Sequence, residues 1–399
     1  MQKLKNLISN KPFILILWFG LSLFAVVKGV LVGDGTTHNY NNYIIYKHNF
    51  LNLIAQHSLF GPQPQFYFDL NHYGPVFALV IAPFTWFPDK IGVILWVLFN
   101  AWILYKAIML LPLRQSQCLA ILLINANSMM GSSGNVQVNP LITALIIFSF
   151  IFIRRKQDFW AALAIILGTA IKLYGIVGLA FFFFSDNKLK LLLSMLFWSA
   201  VLFVLPMLIS SPSFIITTYH DWYPDLLAKN AVNQISTRAY VCVMGMISKI
   251  FHIKHLPNMW VLLPALLLFG LSYLKIKNWK YVQYQLLMVA SVLIFTVIYS
   301  TGSEPPTYII AFIGVGIWFM NLERPTTFEW FLLIFALAVT SFSGSDIIPR
   351  YIRINYILPY ALIALPCLLI WLKIIYEMLT RKFKENDKSL TQMREGATP

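Results

Sequence analysis

Long apolar runs separated by short polar stretches recur from one end of the chain to the other. The first run, PFILILWFGLSLFAVVKGVLV, begins at Pro12, and as a helix it has about the length that crosses the hydrocarbon core of a bilayer. No small-residue cleavage site follows it, so we interpret it as a retained first span and not as a removed signal peptide. The pattern predicts an all-α polytopic membrane protein, a helical bundle of about 12 spans. The predicted spans are residues 13–32, 91–111, 118–131, 140–153, 159–171, 173–187, 190–209, 259–275, 284–300, 306–321, 328–342 and 355–376.

Composition supports a membrane protein and argues against nucleic-acid binding. Of the 399 residues, 59% are hydrophobic and 11% are charged, and the mean hydropathy is +0.70. The formal net charge of +15 comes from Lys and Arg residues in short clusters beside apolar runs, which is the pattern of membrane topology and not of a basic groove. Cys118, Cys242 and Cys367 are isolated, so the sequence supports neither a disulfide framework nor a metal knuckle.

The cationic clusters predict the side of the membrane on which each loop lies, because loops rich in Lys and Arg remain in the cytoplasm. With every cluster inside, both termini are cytoplasmic and the protein is a multi-pass protein of the cytoplasmic (inner) membrane. Residues 1–380 then form a single membrane domain, and residues 381–399 form a polar tail. The clusters are Lys3/Lys5/Lys11, Arg114, Arg154/Arg155/Lys156, Lys188/Lys190, Lys275/Lys277/Lys280, Arg324 and Arg381/Lys382/Lys384.

This sidedness constrains three short apolar stretches. Residues 75–87 are too short to cross and are bounded by Pro, so we expect them to lie on or dip into the outer face. Residues 161–184 run between two cytoplasmic ends, which requires a hairpin that breaks near residues 172–175. Residues 239–256 carry Lys and His on an apolar background, which is typical of an interfacial amphipathic helix.

Most of the irregular polar sequence then lies on the outer face, so we expect the protein to work there. The two long outer loops are residues 33–90 and 210–257. In the first loop, Tyr43, Tyr46 and Phe50 fall near one helical face that Ile54 continues, which predicts an amphipathic helix on the outer surface.

Charged outer residues suggest phosphate binding and proton transfer. Arg and Lys neutralise phosphate oxygens, and a carboxylate can accept the proton of an attacking hydroxyl. Lys172 lies in the apolar hairpin without a neighbouring charge in sequence, which favours a phosphate role. Taken singly, Asp34, Asp221 and Asp225 are interpreted as solvated loop residues or helix caps. For Glu304, a functional role and a structural role remain equally open.

The amides in NVQVN add a candidate sugar site. Asn135, Gln137 and Asn139 alternate, so in an extended segment they share one face and offer donors and acceptors to sugar hydroxyls or a pyrophosphate oxygen. A helix cap followed by Pro140 is the alternative. The aromatic residues of the first loop, including Tyr43 and Tyr73, can stack on sugar rings, but aromatic residues are also common at membrane interfaces, and periodicity does not decide between the two.

Five segments, in this order, resemble glycosyltransferase family 87, the polyprenyl-phosphate-sugar-dependent membrane mannosyltransferases of the GT-C superfamily. The resemblance covers about residues 30 to 310, and it implies a GT-C-like helical bundle with amphipathic helices on the outer face. The segments are NYIIY (42–46), YGPVFALVIAPF (73–84), NVQVNPLITALIIFSFIFIRR (135–155), GTAIKLY (168–174) and AVNQISTRAY (231–240).

The resemblance implies site residues, and the chain departs from the family pattern at two places. The acidic residue expected as the base at the start of the first outer loop is Asn42, and an expected His pair is replaced by Pro306 and Thr307. The base role then passes to Asp69, Asp34 or Glu304. Asp69 is preferred because it lies in the same outer loop just before the Tyr73–Pro75 motif, and Glu304 comes second. Otherwise the chain has a different reaction or none.

The family pattern also assigns the remaining candidates. Lys172 and Arg238 would hold the donor phosphate, and Arg350 is a further outer-face cation for it. Asn135, Gln137 and Asn139 would lie near the sugar or headgroup.

The expected function is therefore transfer of a hexose, with mannose as the first choice, from a polyprenyl-phosphate carrier to a glycolipid or glycan acceptor at the outer face. A flippase for a polyprenyl-linked glycan and a non-catalytic relative, favoured by Asn42, are the alternatives. No GxGxxG or Walker sequence is present, so a nucleotide sugar is not expected as the donor. No cofactor is implied, although outer carboxylates could hold a divalent metal.

Overall fold

The computed structural model describes residues 10–32, 40–236, 239–253, 256–345 and 347–383. Within these ranges the regular structure is entirely helical, so the predicted all-α class is confirmed. The predictions for Asp34 and Arg238, and for most of the polar tail, lie outside the described residues.

Sixteen α-helices follow one another along the described chain. They are α1 Lys11–Leu31, α2 Asn41–Ala55, α3 Pro75–Thr85, α4 Asp89–Met109, α5 Gln115–Gly134, α6 Asn139–Arg154, α7 Asp158–Ile171, α8 Lys188–Val204, α9 Pro212–Ile235, α10 Val243–Ile250, α11 Met259–Leu271, α12 Val282–Ile298, α13 Ile309–Met320, α14 Thr327–Ala336, α15 Arg350–Ile352 and α16 Ala364–Thr380.

Tighter and wider helical turns extend several of these helices. The 3₁₀ helices are Leu173–Phe184, Leu205–Leu208, Ser272–Lys280, Pro305–Tyr308 and Phe342–Gly344. Two π-helical turns, Leu337–Ser341 and Arg353–Ile357, follow α14 and α15 directly.

Five helical segments of the described chain are long and apolar enough to cross a membrane, which confirms the membrane-helix prediction. They are Lys11–Leu31, Asp89–Met109, Lys188–Leu208, Met259–Lys280 and Thr327–Gly344. Several other predicted spans correspond to shorter apolar helices such as α6 with 16 residues and α7 with 14. At the rise of an α-helix, 16 residues reach about 24 Å, less than the thickness of about 30 Å of a hydrocarbon core. The total of about 12 spans therefore stays a prediction.

Two compact units divide the chain, and neither is continuous in sequence. We call residues 18–107 and 129–232 the first unit, and residues 1–17, 108–128 and 233–399 the second unit. The single membrane domain expected for residues 1–380 stays a prediction.

In the first unit the chain breaks at Lys172, as the hairpin prediction required. Helix α7 ends at Ile171, Lys172 is extended with φ −152° and ψ 128°, and a 3₁₀ helix begins at Leu173. The 3₁₀ helix packs back on α6 and α7. Gly168 and Gly175 allow this, because a Cβ on Gly175 would overlap the backbone of Gly168. Lys172 is thus placed at a fixed turn between two packed helices.

In the second unit, α12, α13 and α16 pack together and bury an apolar core. Two hydrogen bonds are buried in it: the indole of Trp371 donates to Ser291 Oγ at 3.0 Å, and the hydroxyl of Tyr308 donates to the carbonyl of Val241 at 2.6 Å. Both bonds join residues that are distant in sequence, so they fix the relative positions of their segments in a setting where water cannot compete.

One sequence prediction about this unit is wrong. Residues 355–376 were expected to form one continuous span, but the π-helical turn ends at Ile357 and α16 begins only at Ala364. Between them, Pro359 cannot donate a helical hydrogen bond and Ala361 adopts a left-handed conformation with φ 52°. The predicted interfacial segment contains the short helix α10.

The close approach at the Lys172 turn predicts a sharp difference between two glycine substitutions in the first unit. Gly175→Ala should destabilise the protein by about 1 to 3 kcal/mol, because its methyl group meets backbone that cannot move aside. Gly20→Ala is the matched control, since no atom lies within 4 Å of a Cβ there and helix propensity should raise stability by about 0.5 to 1 kcal/mol. Apparent Tm in detergent measures both; equal Tm values would contradict the hairpin geometry.

Candidate functional site

The first turn of α2 joins two segments that the sequence analysis had treated separately. The side chain of Asn41 exchanges hydrogen bonds with the backbone of Phe68, donating to its carbonyl and accepting from its N–H at 3.2 Å. The amide of the next residue, Asn42, donates to the carbonyl of Asn135 at 2.8 Å. Two adjacent asparagines therefore tie the residue before Asp69 and the first residue of NVQVN to one helix end.

Contacts of Tyr43 and Lys47 with α3 and α4 hold this end of α2 in place. Tyr43 is fully buried, and its hydroxyl donates to the carbonyl of Phe84 at 2.7 Å, at the end of α3. Burial raises the pKa of Tyr43, and the nearby Asp89 carboxylate raises it further. Lys47 pairs with Asp89 at 2.6 Å. Because Asp89 is in the first turn of α4, its charge also favours that helix N-terminus.

His48 and Tyr73 complete the packing around α2. The ring of His48 lies 4.2 Å from that of Phe66, and burial lowers the pKa of His48, with Lys47 adding to the effect. Tyr73 is half-buried, and its ring lies 4.4 Å from that of Phe77. Tyr43 and Tyr73 thus have packing roles in this structure, and their predicted sugar contacts receive no support from their surroundings.

Asp69 stands out from this packed region as an exposed carboxylate. Its backbone is left-handed with φ 85°, a conformation that Asp tolerates better than most residues. One carboxylate oxygen accepts the N–H of Leu70 at 2.8 Å, and the structure gives Asp69 no ion pair with any described residue. The carboxylate is therefore accessible and chemically available as a proton acceptor.

The amide segment is a tight turn and not the extended strand that was expected. Helix α5 closes with bonds from the N–H of Val136 to the carbonyl of Ser133 at 3.0 Å and from Gln137 to Ser132 at 3.0 Å. This closure puts Val136 in a left-handed conformation with φ 49°, which is costly for a β-branched residue. The prediction of an extended segment was wrong because it was based on the alternation alone and did not include the end of α5.

The turn still brings the predicted amides together with Lys172. The ammonium of Lys172 donates to Asn139 Oδ1 at 2.9 Å, and the amide of Asn139 reaches Gln137 Oε1 at 3.2 Å. The Lys172 nitrogen also lies 4.7 Å from the centre of the Tyr174 ring. Asn139 is fully buried, whereas Lys172 is half-buried. A half-buried cation beside neutral amides is a suitable place for a phosphate or a sugar phosphate.

A half-buried histidine–carboxylate pair was missed by the sequence analysis. His72 Nδ1 and Asp225 Oδ2 are 2.7 Å apart, and these side chains are 17% and 12% exposed. The interpretation of Asp225 as a solvated loop residue is therefore wrong, whereas Asp221 is exposed as expected. The pair joins positions 153 residues apart, so no local pattern could have revealed it.

The second unit holds the remaining predicted residues. Glu304 is half-buried and precedes the 3₁₀ helix Pro305–Tyr308, with its N–H directed to Thr307 Oγ1 at 3.4 Å. The adjacent Ser303 is fully buried and donates to the carbonyl of Val297 at 2.6 Å, which fixes the position of Glu304.

Arg350 lines a cleft of about 590 Å³ in the same unit. The guanidinium of Arg353 lines it as well and donates to the carbonyl of Gly344 at 3.3 Å. Pro305, next to Glu304, and the apolar side chains of Ile354 and Leu358 are also in its wall. The cleft thus combines two cations with an apolar surface. Arg353 follows Arg350 by three residues, a spacing that places both side chains near one face of a helical turn.

Comparison with known proteins connects these residues to a family. The model of glycosyltransferase family 87 matches residues 71–301, inside the range of 30 to 310 that the resemblance covered. The match contains His72, the amide segment, Lys172 and Asp225, whereas Asn42, Asp69, Glu304 and Arg350 lie outside it. No curated protein matches the chain. Because the match extends over more than half of the chain, this protein belongs to glycosyltransferase family 87 and is a membrane glycosyltransferase.

Proposed function

We propose that the protein transfers a hexose, with mannose as the first choice, from a polyprenyl-phosphate carrier to a glycolipid or glycan acceptor. The reaction takes place at the outer face of the cytoplasmic membrane, and both termini are cytoplasmic. One observation supports the proposal most: the first turn of α2 connects the segment of Asp69 to the amide turn, whose Asn139 contacts Lys172. A proton acceptor and a phosphate-binding cation are thus parts of one contact network.

The chemistry assigned to these groups is a displacement at the anomeric carbon. The acceptor hydroxyl oxygen forms a bond to that carbon while the bond from the carbon to the donor phosphate oxygen breaks. Asp69 takes the hydroxyl proton, and the phosphate leaves with the electron pair of the broken bond. Lys172 stabilises the charge that develops on the leaving phosphate, with Asn139 holding the ammonium in place.

Gln137 and Asn139 suit the sugar end of the donor. The Gln137 carboxamide has donors and acceptors beyond its bond to Asn139, and both lie at a turn whose backbone is fixed by the closure of α5. Asn135 uses its side chain to bond the carbonyl of Gly131 at 2.9 Å, so its contribution is to position the turn.

In the second unit, Arg350 is the proposed phosphate-binding cation. A guanidinium can bind two phosphate oxygens at once, and the walls of Ile354 and Leu358 provide the apolar surface that an isoprenoid chain requires. Arg353 begins the π-helical turn, a type of distortion that is often found at functional sites. Glu304, next to Pro305 in the wall of this cleft, is the second choice for the base.

Replacing each candidate base by its amide should show which of the two acts as the base. Asp69→Asn should lower turnover about 10²- to 10⁴-fold, because the amide cannot accept the proton. Glu304→Gln should change turnover little. Transfer from polyprenyl-phosphate-mannose to membrane glycolipids by purified protein in vesicles measures both. Asp221→Asn, on an exposed carboxylate, is the control.

A large loss of turnover in Glu304→Gln with little change in Asp69→Asn would assign the base role to Glu304. Transfer unaffected by either substitution would remove both assignments. Movement of intact carrier lipid across the vesicle membrane without any transfer would instead support a flippase, and the absence of both activities would support a non-catalytic relative.

Asn42 allows a test of whether the family position of the base is still usable. Introducing Asn42→Asp into the Asp69→Asn variant should not restore transfer. The amide at this position donates a hydrogen bond to the Asn135 carbonyl. A carboxylate there has no hydrogen to donate, so its oxygen would be opposite the carbonyl oxygen without a hydrogen bond. We expect Asn42→Asp alone to destabilise the protein by about 1 to 3 kcal/mol. Recovery of transfer in the double variant would show that the base acts from position 42.

Neutral replacements of the two cations test phosphate binding in each unit. Lys172→Gln should raise the inhibition constant of a short-chain isoprenyl monophosphate by about 10- to 100-fold, the range expected for a lost charged hydrogen bond. Arg350→Gln tests separately whether the cleft of the second unit binds the same ligand. Lys156→Gln is the control, because Lys156 is exposed and pairs with Asp186 at 2.7 Å. Inhibition unchanged by one of the two replacements would exclude that cation as a phosphate ligand.

A further inference from the structure

Asp69 lies at the tip of a segment that is fixed on both sides. On one side, Phe68 exchanges two hydrogen bonds with the side chain of Asn41. On the other side, the buried side chain of Asn71 accepts the N–H of Tyr73 at 3.2 Å and donates to the Tyr73 carbonyl at 3.3 Å. The exposed carboxylate is therefore presented by backbone with little freedom to move.

Helix α9 provides the outer support of this segment. The indole N–H of Trp222 donates to the carbonyl of His72 at 2.9 Å, and the Trp222 ring covers Gly74 so closely that a Cβ there would lie 2.8 Å from it. Three residues along, Asp225 bonds His72 Nδ1 at 2.7 Å. Pro224 interrupts the α9 hydrogen-bond ladder immediately before Asp225. Helix α9 thus contacts both the backbone and the ring of His72.

The pair of His72 and Asp225 has the properties of a structural bond in a protected site. A carboxylate at Nδ1 holds the proton on that nitrogen. His72 Nε2 is buried and has no hydrogen-bond partner among the described residues, so the bond to Asp225 is the one that fixes the ring. By contrast, His220 and Asp221 on the same helix are 3.5 Å apart and 84% and 54% exposed. An ion pair as exposed as that of His220 and Asp221 contributes little to stability in water, whereas the half-buried pair of His72 and Asp225 is less screened by solvent.

We infer that Trp222 and Asp225 form a latch, the α9 latch, which fixes His72 and so holds the Asp69 carboxylate in its reactive position. The inference rests on the proposed role of Asp69 as the base. Trp222, Asp225 and His72 are positioning residues in this scheme, because they act through the backbone of residues 69–73 and not on the substrate. A base is effective only when it is held close to its optimal geometry, and an error of about 1 Å can cost about 100-fold in rate.

Mobility at position 69 tests the latch without any enzyme assay. The three native cysteines are buried, so a thiol-specific spin label should react selectively with the Asp69→Cys variant of the full chain in vesicles. With the latch intact, we expect a spectrum of restricted motion. Adding Trp222→Phe, which keeps a ring on Gly74 but removes the N–H donor, or Asp225→Asn should shift the spectrum toward fast motion.

The exposed pair on α9 gives matched controls for this experiment. Asp221→Asn and His220→Gln change the same residue types on the same helix, and they should leave the label spectrum and the transfer rate unchanged. Thermal unfolding of every variant identifies any that fails to fold. A label spectrum that stays restricted in both folded latch variants would overturn the inference.

Transfer measurements with Asp69 intact connect the latch to the reaction. Trp222→Phe and Asp225→Asn should each lower turnover about 10- to 100-fold. The KM for the donor should change little, because Lys172 and not the latch is the proposed ligand of the donor phosphate. If the latch substitutions free the label at position 69 but leave turnover unchanged when Asp69 is present, the positioning role is wrong. If Asp69→Asn itself leaves transfer unchanged, the proposed base fails, and the label spectra alone then decide whether the latch exists.

Discussion

Hydrogen bonding by a few side-chain amides is the constraint on which the candidate site depends. In a chain this apolar, backbone groups outside helices have few partners, and an unpaired buried group costs about 1 to 3 kcal/mol. Asn41, Asn42 and Asn71 provide those partners for the irregular segments of the first unit. Each carboxamide both donates and accepts, so a single side chain can hold a turn that a carboxylate or a hydroxyl would hold less completely. The positions of Asp69 and of the amide turn follow from these bonds.

Much of the helical architecture could be predicted from the sequence because apolar runs and cationic ends are local signals. The break at Lys172 was predictable for that reason, since a run that starts and ends beside cations must reverse. The break between Ile357 and Ala364 was not, because the run around it stays apolar and only Pro359 hints at an interruption. Hydropathy measures how well a segment is solvated by lipid, and it carries little information on helix continuity.

The candidate site shows the same limit. The partnership of Lys172 with Asn139 rests on residues that the sequence analysis had selected, each for its unusual chemistry in an apolar setting. Asn135, Gln137 and Asn139 do alternate in sequence, but they do not form an extended segment. The end of α5 imposes a turn before Asn139 starts α6. The pairing of His72 with Asp225 was missed because neither residue is unusual among its sequence neighbours. A polar pair becomes significant only through burial, and burial is a property of the fold.

The departure from the family pattern at Asn42 has a physical consequence. A carboxylate at that position could not donate to the Asn135 carbonyl, so the same side chain cannot serve as the base and as the support of the amide turn. In this chain the position supports the turn. Asp69, the proposed base, lies in a neighbouring segment that is also held by hydrogen bonds, one residue beyond the bonds between Phe68 and Asn41. Transfer of the proton-accepting role along the loop is compatible with the fold because the two asparagines keep both segments in place.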